Sequence, residues 1–506
     1  MPENAIRFFE FLVAPIVLVF AILWIVRRGK WDAGRALGLL EGRRFGAGCV
    51  VLAYFVVFSA LSVLRYLSLH STLFDLGIYD NRVWRIAHLG ELAYAVNGHF
   101  CPILVLLAPL YWMVNSPVVL LVVQTGAIAF GGWILFKLAR LMLESEAGAF
   151  VVMLCYFLYP ALEFNTLYDF HPDCMILPVL LAGFYFIERG NKKWFLLSLV
   201  PGLLLKEPLL FSIAGMGCYA AIRRRWFKEG LSVVFVGFFV YFAFMKWMHP
   251  SSVWGPMGET YGYLGKGPIL GVLTRPWVVI RELVTSPDKI AFTLSLLYPL
   301  LFLPLLHPAA LLPSLPHFAI SILSHTPAHT SVCGHYTASV IPGLFVAALL
   351  GVRMLRRFGQ AWVDRALVVM LAVSLYYNVI QSPSPISLKF WVVDNWYNKE
   401  SYVVSSRDRE LVRLMRAHIP KNADAGVCTQ NTLNHAWLAH RRTVRLFPDL
   451  RGVHYVVLDT HRPLCLLDQP ATREEFFDKL ADIRENFETV VDRDGFLILR
   501  RAGIRD

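Results

Sequence analysis

FDLGIYD at residues 74–80 places Asp75 and Asp80 directly after an apolar run (47–67) long enough to cross a membrane and just before NRVWRIAHLGE. Two acids so placed can converge with loop residues on a divalent cation, or on an acceptor hydroxyl that must lose its proton. The plain structural reading of Asp75 is the N-cap of a helix whose Leu76, Tyr79, Val83, Ile86 and Ala87 share one face. A cap does not account for Asp80. A second constellation, YDFHPD at 168–173, alternates Asp169, His171 and Asp173 around Pro172. A loop Asp or His is ordinarily just solvated, but two carboxylates and an imidazole crowd a very short loop here. Third, Lys206-Glu207 interrupts an apolar segment, where a charge costs about 2.5–3.5 kcal/mol on insertion scales and so has a partner or a task. The choice is an internal ion pair or a cation kept for phosphate. HTPAHTSVCGHY at 325–336 adds His325, His329, His335 and Tyr336 without zinc spacing. His99 stands at the polar start of NGHFCPILVLLAPLY (97–111), a stretch that reads as amphipathic or re-entrant along the interface.

Composition says what must hold these groups. The 506 residues are 57% hydrophobic and 17% charged, with a mean hydropathy of +0.53; that is too apolar for a soluble protein and indicates a polytopic membrane protein. A spanning helix needs about 20 mainly apolar residues. Runs of that kind lie at roughly 9–26, 46–66, 117–136, 147–163, 174–188, 194–222, 231–248, 290–324, 337–352 and 366–380. Two of them, 194–222 and 290–324, are too long for one helix and carry breaks at Lys206-Glu207-Pro208 and His307-Pro308, so about twelve spans are expected. The net charge of +12 does not indicate nucleic acid, because the basic residues sit in short loops between apolar runs, as the positive-inside pattern requires. With Arg27, Arg28 and Lys30, and later Arg223, Arg224 and Arg225, assigned to the cytoplasm, the acidic and histidine-rich stretches and everything after 381 fall on the opposite face. The first run reads as a helix and not a signal peptide, since MPENAIRFFE offers no basic n-region and no small-residue cleavage site precedes RRGK. The eight cysteines show no CxxC. Those in apolar runs read as packed thiols, and Cys101, Cys174, Cys333, Cys428 and Cys465 are left as possible outer-face partners that sequence does not pair.

Three modules follow. Residues 1–46 hold a transmembrane helix and a basic cytoplasmic loop, and 47–380 form a multi-helix membrane domain with external loops at 67–101, 164–173, 249–289 and 325–336. Residues 381–506, beginning near the turn-rich QSPSP, form a small soluble extracytoplasmic α/β domain. In that tail RDRELVRLMRAHIP, NTLNHAWLAH and TREEFFDKLADIRENF read as helices, AGVCTQ, TVRLFP and VHYVVLD as strands, and TVVDRDGFLILRR as a hairpin with an Asp-Gly turn. No glycine-rich phosphate loop occurs there, which argues against a nucleotide site. No internal repeat is evident, which disfavours an inverted-repeat transporter.

Taken in order, FDLGIYD, HFCPILVLLAPLY, YDFHPD, LLLKE, GHYTASVIPGLF and the tail pattern IPKNADAG, LAHRRTVRLFP and VHYVVLD resemble the bacterial and archaeal membrane-protein family known as domain of unknown function 2079, over about 47–500. That family is similar to the GT-C glycosyltransferases, polytopic enzymes that move a sugar from a polyprenyl-phosphate donor to an acceptor outside the cytoplasmic membrane. The resemblance implies a GT-C-like fold in a prokaryotic cytoplasmic (inner) membrane, with the lipid bilayer, a polyprenyl-phosphate-linked sugar and an unidentified acceptor as partners and no nucleic acid. Asp75 matches the essential acid of the first large external loop, as general base or metal ligand, with Asp80 as its helper. Lys206 then contacts the donor phosphate, while His99, Asp169, His171, Glu207, His335 and Tyr336 position the reactants. Mg²⁺ or Mn²⁺ would sit on Asp75 and Asp169. Pro208 follows Lys206-Glu207 where the family pattern carries another acid. Two rival readings stand beside this one: a non-catalytic membrane scaffold with a partner-binding external domain, and a transporter or flippase of a lipid-linked or anionic substrate.

Overall fold

The computed structural model describes residues 33–38, 40, 44–247, 260–265, 268–392, 396–462, 472–484 and 486–503. The expected span at 9–26, part of the loop 249–289, and Cys465 lie outside the described residues. The chain builds α1 (Arg44–Leu67), α2 (Ile78–Leu89), α3 (Ile103–Met113), α4 (Val118–Leu143), α5 (Glu146–Phe157), α6 (Pro160–Leu167), α7 (Ile176–Glu188), α8 (Leu209–Arg224) and α9 (Phe227–Trp247). It continues through α10 (Pro287–Leu297), α11 (Leu315–Ile322), α12 (Ile341–Met354), α13 (Gln360–Gln381), α14 (Ser406–His418) and α15 (Arg473–Arg484).

Among the described residues α1, α4, α9 and α13 are long and apolar enough to cross a bilayer, and α5 with α6, bent by 54° between them, make a fifth if counted as one span. Among the described residues twelve spans are not shown, and for the run at 290–324 the reason lies in its own sequence. Between 290 and 324, Pro299, Pro304, Pro308, Pro313 and Pro316 each remove an amide donor. The chain responds with 3₁₀ turns at Tyr298–Leu300, Leu303–Leu306 and Pro308–Leu311 before α11 forms. These turns wind against α12 instead of crossing as two helices. The stretch 97–111, not among the expected spans, yields the 11-residue α3, too short to span.

Side-chain size sets the helix spacing. α1 leaves Leu52, Val56 and Val57 exposed, as a face turned to lipid would be, whereas α4 lies inside the bundle against α1, α5 and α7. α8 and α9 meet backbone to backbone at Gly217 and Gly230: a Cβ on either would stand 2.5 Å from the other's carbonyl oxygen, so only glycine fits. The main core joins α4, α5, α7 and α12, and a smaller cluster of Leu76, Tyr79, Val83, Ile86, Leu104, Leu107 and Tyr111 packs α2 on α3. The face expected for α2 is thus the one that is buried.

The tail carries a five-stranded sheet of β1 (Val427–Thr429), β2 (Val444–Leu446), β3 (Tyr455–Asp459), β4 (Phe487–Arg493) and β5 (Phe496–Arg501), in the order β2-β1-β3-β5-β4. β1 runs parallel to β2 and β3, and β5 is antiparallel to β3 and β4. The β4–β5 hairpin turns at Asp494 and Gly495, with φ of 49° and 73°, as an Asp-Gly turn demands. α14 opens on a Ser405–Asp408 capping box. NTLNHAWLAH, expected as a helix, forms only the four-residue turn Ala436–Ala439, because its two ends are drawn into other contacts, Asn431 with Leu73 and Phe74 and His440 with Asp80 of α2. The described cysteines are free thiols.

Arg441 closes the tail. Its guanidinium, fully enclosed, donates to the carbonyls of Asn422, Ala425, Pro420 and Trp437 at 2.8–3.1 Å. Replacing Arg441 by Met leaves four carbonyls without this donor and costs about 3 kcal/mol or more. The expected outcome is cleavage within the tail under limited proteolysis at urea concentrations where the wild type resists; equal resistance contradicts it.

Candidate functional site

The turn bearing Asp75 begins at Thr72, not at Asp75. Thr72 has extended backbone and its Oγ1 accepts from Asp75 N at 3.3 Å, so Thr72 is the cap and Asp75 lies in the first turn of a π-wound segment, Leu73–Gly77, that runs into α2. The Asp75 carboxylate is almost wholly buried. Its Oδ2 accepts from Tyr168 Oη at 2.8 Å and lies 3.2 Å from Thr72 Oγ1, whose one proton points to the nearer Asp169, and its Oδ1 lies 3.3 Å from His171 Nε2. Asp169 stands behind it: Thr72 N and Thr72 Oγ1 both reach Asp169 Oδ2, at 2.6 and 2.7 Å. Burial raises the Asp75 pKa, but the hydrogen bond and charge of His171, followed by His335 and Tyr168, outweigh it and hold the carboxyl well below the usual range. Asp169 goes the other way: burial lifts it, Arg65 offsets part of the rise, and the charge of Asp75 adds to it. Neighbouring carboxylates are thereby split into a firmly ionised one facing outward and a raised one behind.

Asp75 opens into a cavity of about 860 Å³ that is also lined by His99, His171, Lys206, His335 and Tyr336. Six residues singled out from sequence therefore meet in one place. Lys206 Nζ pairs with Asp173 Oδ2 at 2.8 Å. Burial would raise Asp173, and Lys206 above all, with His335 and His171, brings it below the usual carboxylate range. The rings of His171 and His335 stack with centroids 3.5 Å apart and planes 9° from parallel, and burial pushes His335 down. Glu207 lies behind the wall, where its Oε1 is 2.7 Å from His99 Nδ1 and its Oε2 accepts from Phe100 N at 3.0 Å. It positions the 97–100 loop and leaves Lys206 to face the cavity.

Arg82, Asp173 and His317 also line the cavity and were not picked out as site residues. Arg82 had a signal: positions 75, 79 and 82 recur at helical spacing, so Asp75, Tyr79 and Arg82 share a face. Its Nε and Nη2 donate to Tyr94 O (2.7 Å) and His99 O (2.9 Å), tying the far side of the mouth to α2. Asp173 was visible within YDFHPD, while His317, a lone histidine in an apolar run, had no such mark. As a cage for Mg²⁺ or Mn²⁺ the residues do not fit. Among the described residues no three His, Cys, Asp or Glu side chains form a group that could hold a metal ion, and Asp75 Oδ2 and Asp169 Oδ2 are taken by protein donors.

The family of predicted membrane proteins called DUF2079 matches residues 65–497, spanning both the Asp75 turn and the tail. The chain belongs to that family. No curated protein matches it.

In this DUF2079 protein Asp80 does not reach the cavity. It is completely buried on another face of α2, where its Oδ1 accepts from Tyr111 Oη at 2.7 Å and meets His440 Nε2 at 2.9 Å. The residues beside it are bound to the tail as well. Asn81 Nδ2 donates to Ala439 O and Arg441 O, Arg85 Nη1 to Arg442 O, and Arg442 returns to Glu91. At the start of the turn, Asn431 accepts from Leu73 N through its carbonyl (2.8 Å) and from Phe74 N through its Oδ1 (2.7 Å). Gly77 keeps this approach possible, since a Cβ there would meet Asn434 Oδ1 at 2.9 Å and Leu73 Cδ1 at 2.6 Å. The tail thus grips the backbone before Asp75 and the side chains of α2 after it. Asn431→Ala removes one of these grips and should speed amide exchange of residues 72–77 by about 5–150-fold, matching the roughly 1–3 kcal/mol of a buried hydrogen bond. Exchange unchanged from wild type contradicts it.

Proposed function

We propose that the protein is a membrane glycosyltransferase, GT-C-like, that moves a sugar from a polyprenyl-phosphate donor to an acceptor on the extracytoplasmic face of a prokaryotic cytoplasmic membrane. The observation that carries the reading is the single cavity in which an ionised buried acid, Asp75, faces two cations, Lys206 and Arg82, beside apolar side chains open to the surroundings. Phe74 and Ile78 line the same cavity and are 50% and 42% exposed. A polyprenyl chain can lie along them while its phosphate meets Lys206 and Arg82.

The chemistry then follows from charge. The acceptor oxygen bonds to the anomeric carbon, the bond from that carbon to the phosphate oxygen breaks, and the electron pair leaves on the phosphate, where Lys206 and Arg82 stabilise it. Asp173 holds the Lys206 ammonium at one corner and leaves its other protons for the phosphate. A carboxylate with a depressed pKa is a weak base toward an ordinary hydroxyl. It suffices here because the acceptor oxygen becomes strongly acidic once it has bonded to carbon, so Asp75 takes the proton late. His171 and His335, stacked at its side, position the carboxylate and the sugar, with Tyr336, His99 and Glu207 shaping the mouth. Asp169 acts through Thr72 by fixing the turn, and Asp80 helps by fixing the helix behind it.

The test is transfer or hydrolysis of labelled sugar from a panel of polyprenyl-phosphate sugars by purified protein in lipid. Asp75→Asn should lower turnover by about 10³-fold or more, in the range of lost acid-base and electrostatic terms, with folding intact; turnover like wild type removes the assignment. Because Asp75 is depressed, it stays ionised throughout the neutral range, and its stabilising contribution is lost only as pH falls below that of an ordinary carboxylate. His171→Ala takes away the largest opposing influence and leaves burial to lift the acid. The acidic limb of the pH–rate profile should therefore move to higher pH in this variant, and an unshifted limb contradicts the pairing.

A further inference from the structure

We infer that a second cavity, which abuts the Asp75 cavity, is the acceptor subsite of the proposed transfer and takes an uncharged sugar; the inference rests on that reading of the Asp75 site. The cavity, of about 410 Å³, has the size of a small-ligand site and is walled by α6, α10, the end of α13 and the loop 325–336. Its neutral polar lining is Ser295, Thr330, Ser331 and Gln381, and its rings are Phe164 and Phe292. Its charges are one acid, Asp288, and one base, Lys389. Thr330 Oγ1 donates to Pro327 O at 3.3 Å and keeps its oxygen lone pairs, while Ser331 Oγ accepts from Cys333 N at 3.1 Å and keeps its proton. The wall therefore offers a hydroxyl-bearing ligand both an acceptor and a donor.

Position ties this cavity to the reaction. The loop 325–336 is the partition between the two: His325 and His329 line the first, Thr330, Ser331 and Cys333 the second, and Pro327 both. From Cys333 the chain reaches His335 in two residues, a span of at most about 7 Å. His335 stacks on His171 with centroids 3.5 Å apart, and His171 Nε2 is 3.3 Å from Asp75 Oδ1. Tyr397 holds the partition in place: its Oη donates to Cys333 O at 3.3 Å, and its ring meets that of Phe164 edge-on at 5.1 Å. Charge assigns the occupant. Of the two cavities only the first is lined by Lys206 and Arg82, so the donor phosphate belongs there. The second, with one acid offset by one base, gives a buried phosphate or carboxylate no matching charge. Hydroxyls and an amide set among aromatic rings suit a neutral ring that carries hydroxyl groups on its edge and C–H bonds on its faces. The cavities abut at Pro327, and a sugar hydroxyl presented there supplies the nucleophile: its oxygen bonds to the anomeric carbon, the phosphate leaves with the electron pair, and the proton passes to Asp75.

The experiment reads alkylation of Cys333, a free and exposed thiol of the cavity wall, by N-ethylmaleimide in the purified full-length protein, followed on its own peptide by mass spectrometry. The probes are methyl glucoside, methyl galactoside and methyl mannoside, with glucuronate and glucosamine as charged controls. At least one neutral glycoside should slow the reaction saturably, to about a tenth of its rate once the sugar stands about tenfold above its dissociation constant, as mass action requires. The charged sugars should not slow it. Ser295→Trp fills the cavity and should abolish the sugar dependence; where it fails to fold, Thr330→Trp, in the loop, carries the test. Rates that ignore every glycoside, equal protection by the charged sugars, or a sugar dependence kept in the Trp variant overturns the proposal. Turnover of polyprenyl-phosphate sugars separates the two readings. Turnover without protection removes the acceptor site alone, whereas protection without turnover of any donor overturns the acceptor role and leaves a neutral-sugar site.

Discussion

A buried carboxylate that stays ionised must be held by its neighbours at every oxygen, and Asp75 is held in that way by Tyr168 and His171, with Thr72 Oγ1 on its amide. Each partner is itself fixed: Thr72 by Asp169, and His171 by its stacking on His335 and a contact from Nδ1 to the Asp169 carbonyl. The loops 68–77, 168–175 and 325–336, far apart in sequence, are brought to one point by this charge. Lys206 and Asp173 repeat the principle a short way off, with a buried cation and a buried anion each making the other tolerable.

α2 transmits that constraint outward. One face turns Tyr79 and Arg82 to the cavity, while others bind Asp80, Asn81 and Arg85 to Tyr111 and the tail. The tail is therefore part of the wall that sets the Asp75 turn, through Asn431 on the backbone and His440 on Asp80. A sheet with its own buried core is a stiff support for such contacts, which gives a reason for a membrane protein to carry it against the Asp75 turn. The same contacts answer why two acids stand so close in FDLGIYD: one faces the cavity and the other ties the helix to the tail.

What could be read from the sequence depended on how local the signal was. The buried face of α2, the Asp-Gly hairpin and the short strands of the tail are encoded by residue period and turn chemistry within a few positions, and they are present. The number of spans is not legible from run length, because an apolar run punctuated by prolines looks continuous to hydropathy yet folds as 3₁₀ turns. Grouping Asp75 with Asp80 ignored helical geometry: five residues turn about 140°, so the two acids point to different faces, whereas the seven from Asp75 to Arg82 return almost to the same one. His99, His171, Lys206 and His335 were grouped with Asp75 by residue type alone, and one cavity is lined by all five. The tail's grip on Asp80 through His440, 360 positions away, had no local signature.

The claim on which the rest turns is that this cavity receives a lipid-borne phosphate next to Asp75. The most direct measurement is a cryo-electron microscopy structure of the protein in lipid nanodiscs with a polyprenyl phosphate. Density for the phosphate within hydrogen-bonding reach of Lys206 Nζ, with the chain leaving past Phe74 and Ile78, is the predicted result. A phosphate bound away from Lys206 and Arg82, with the cavity vacant at saturating lipid, would contradict it.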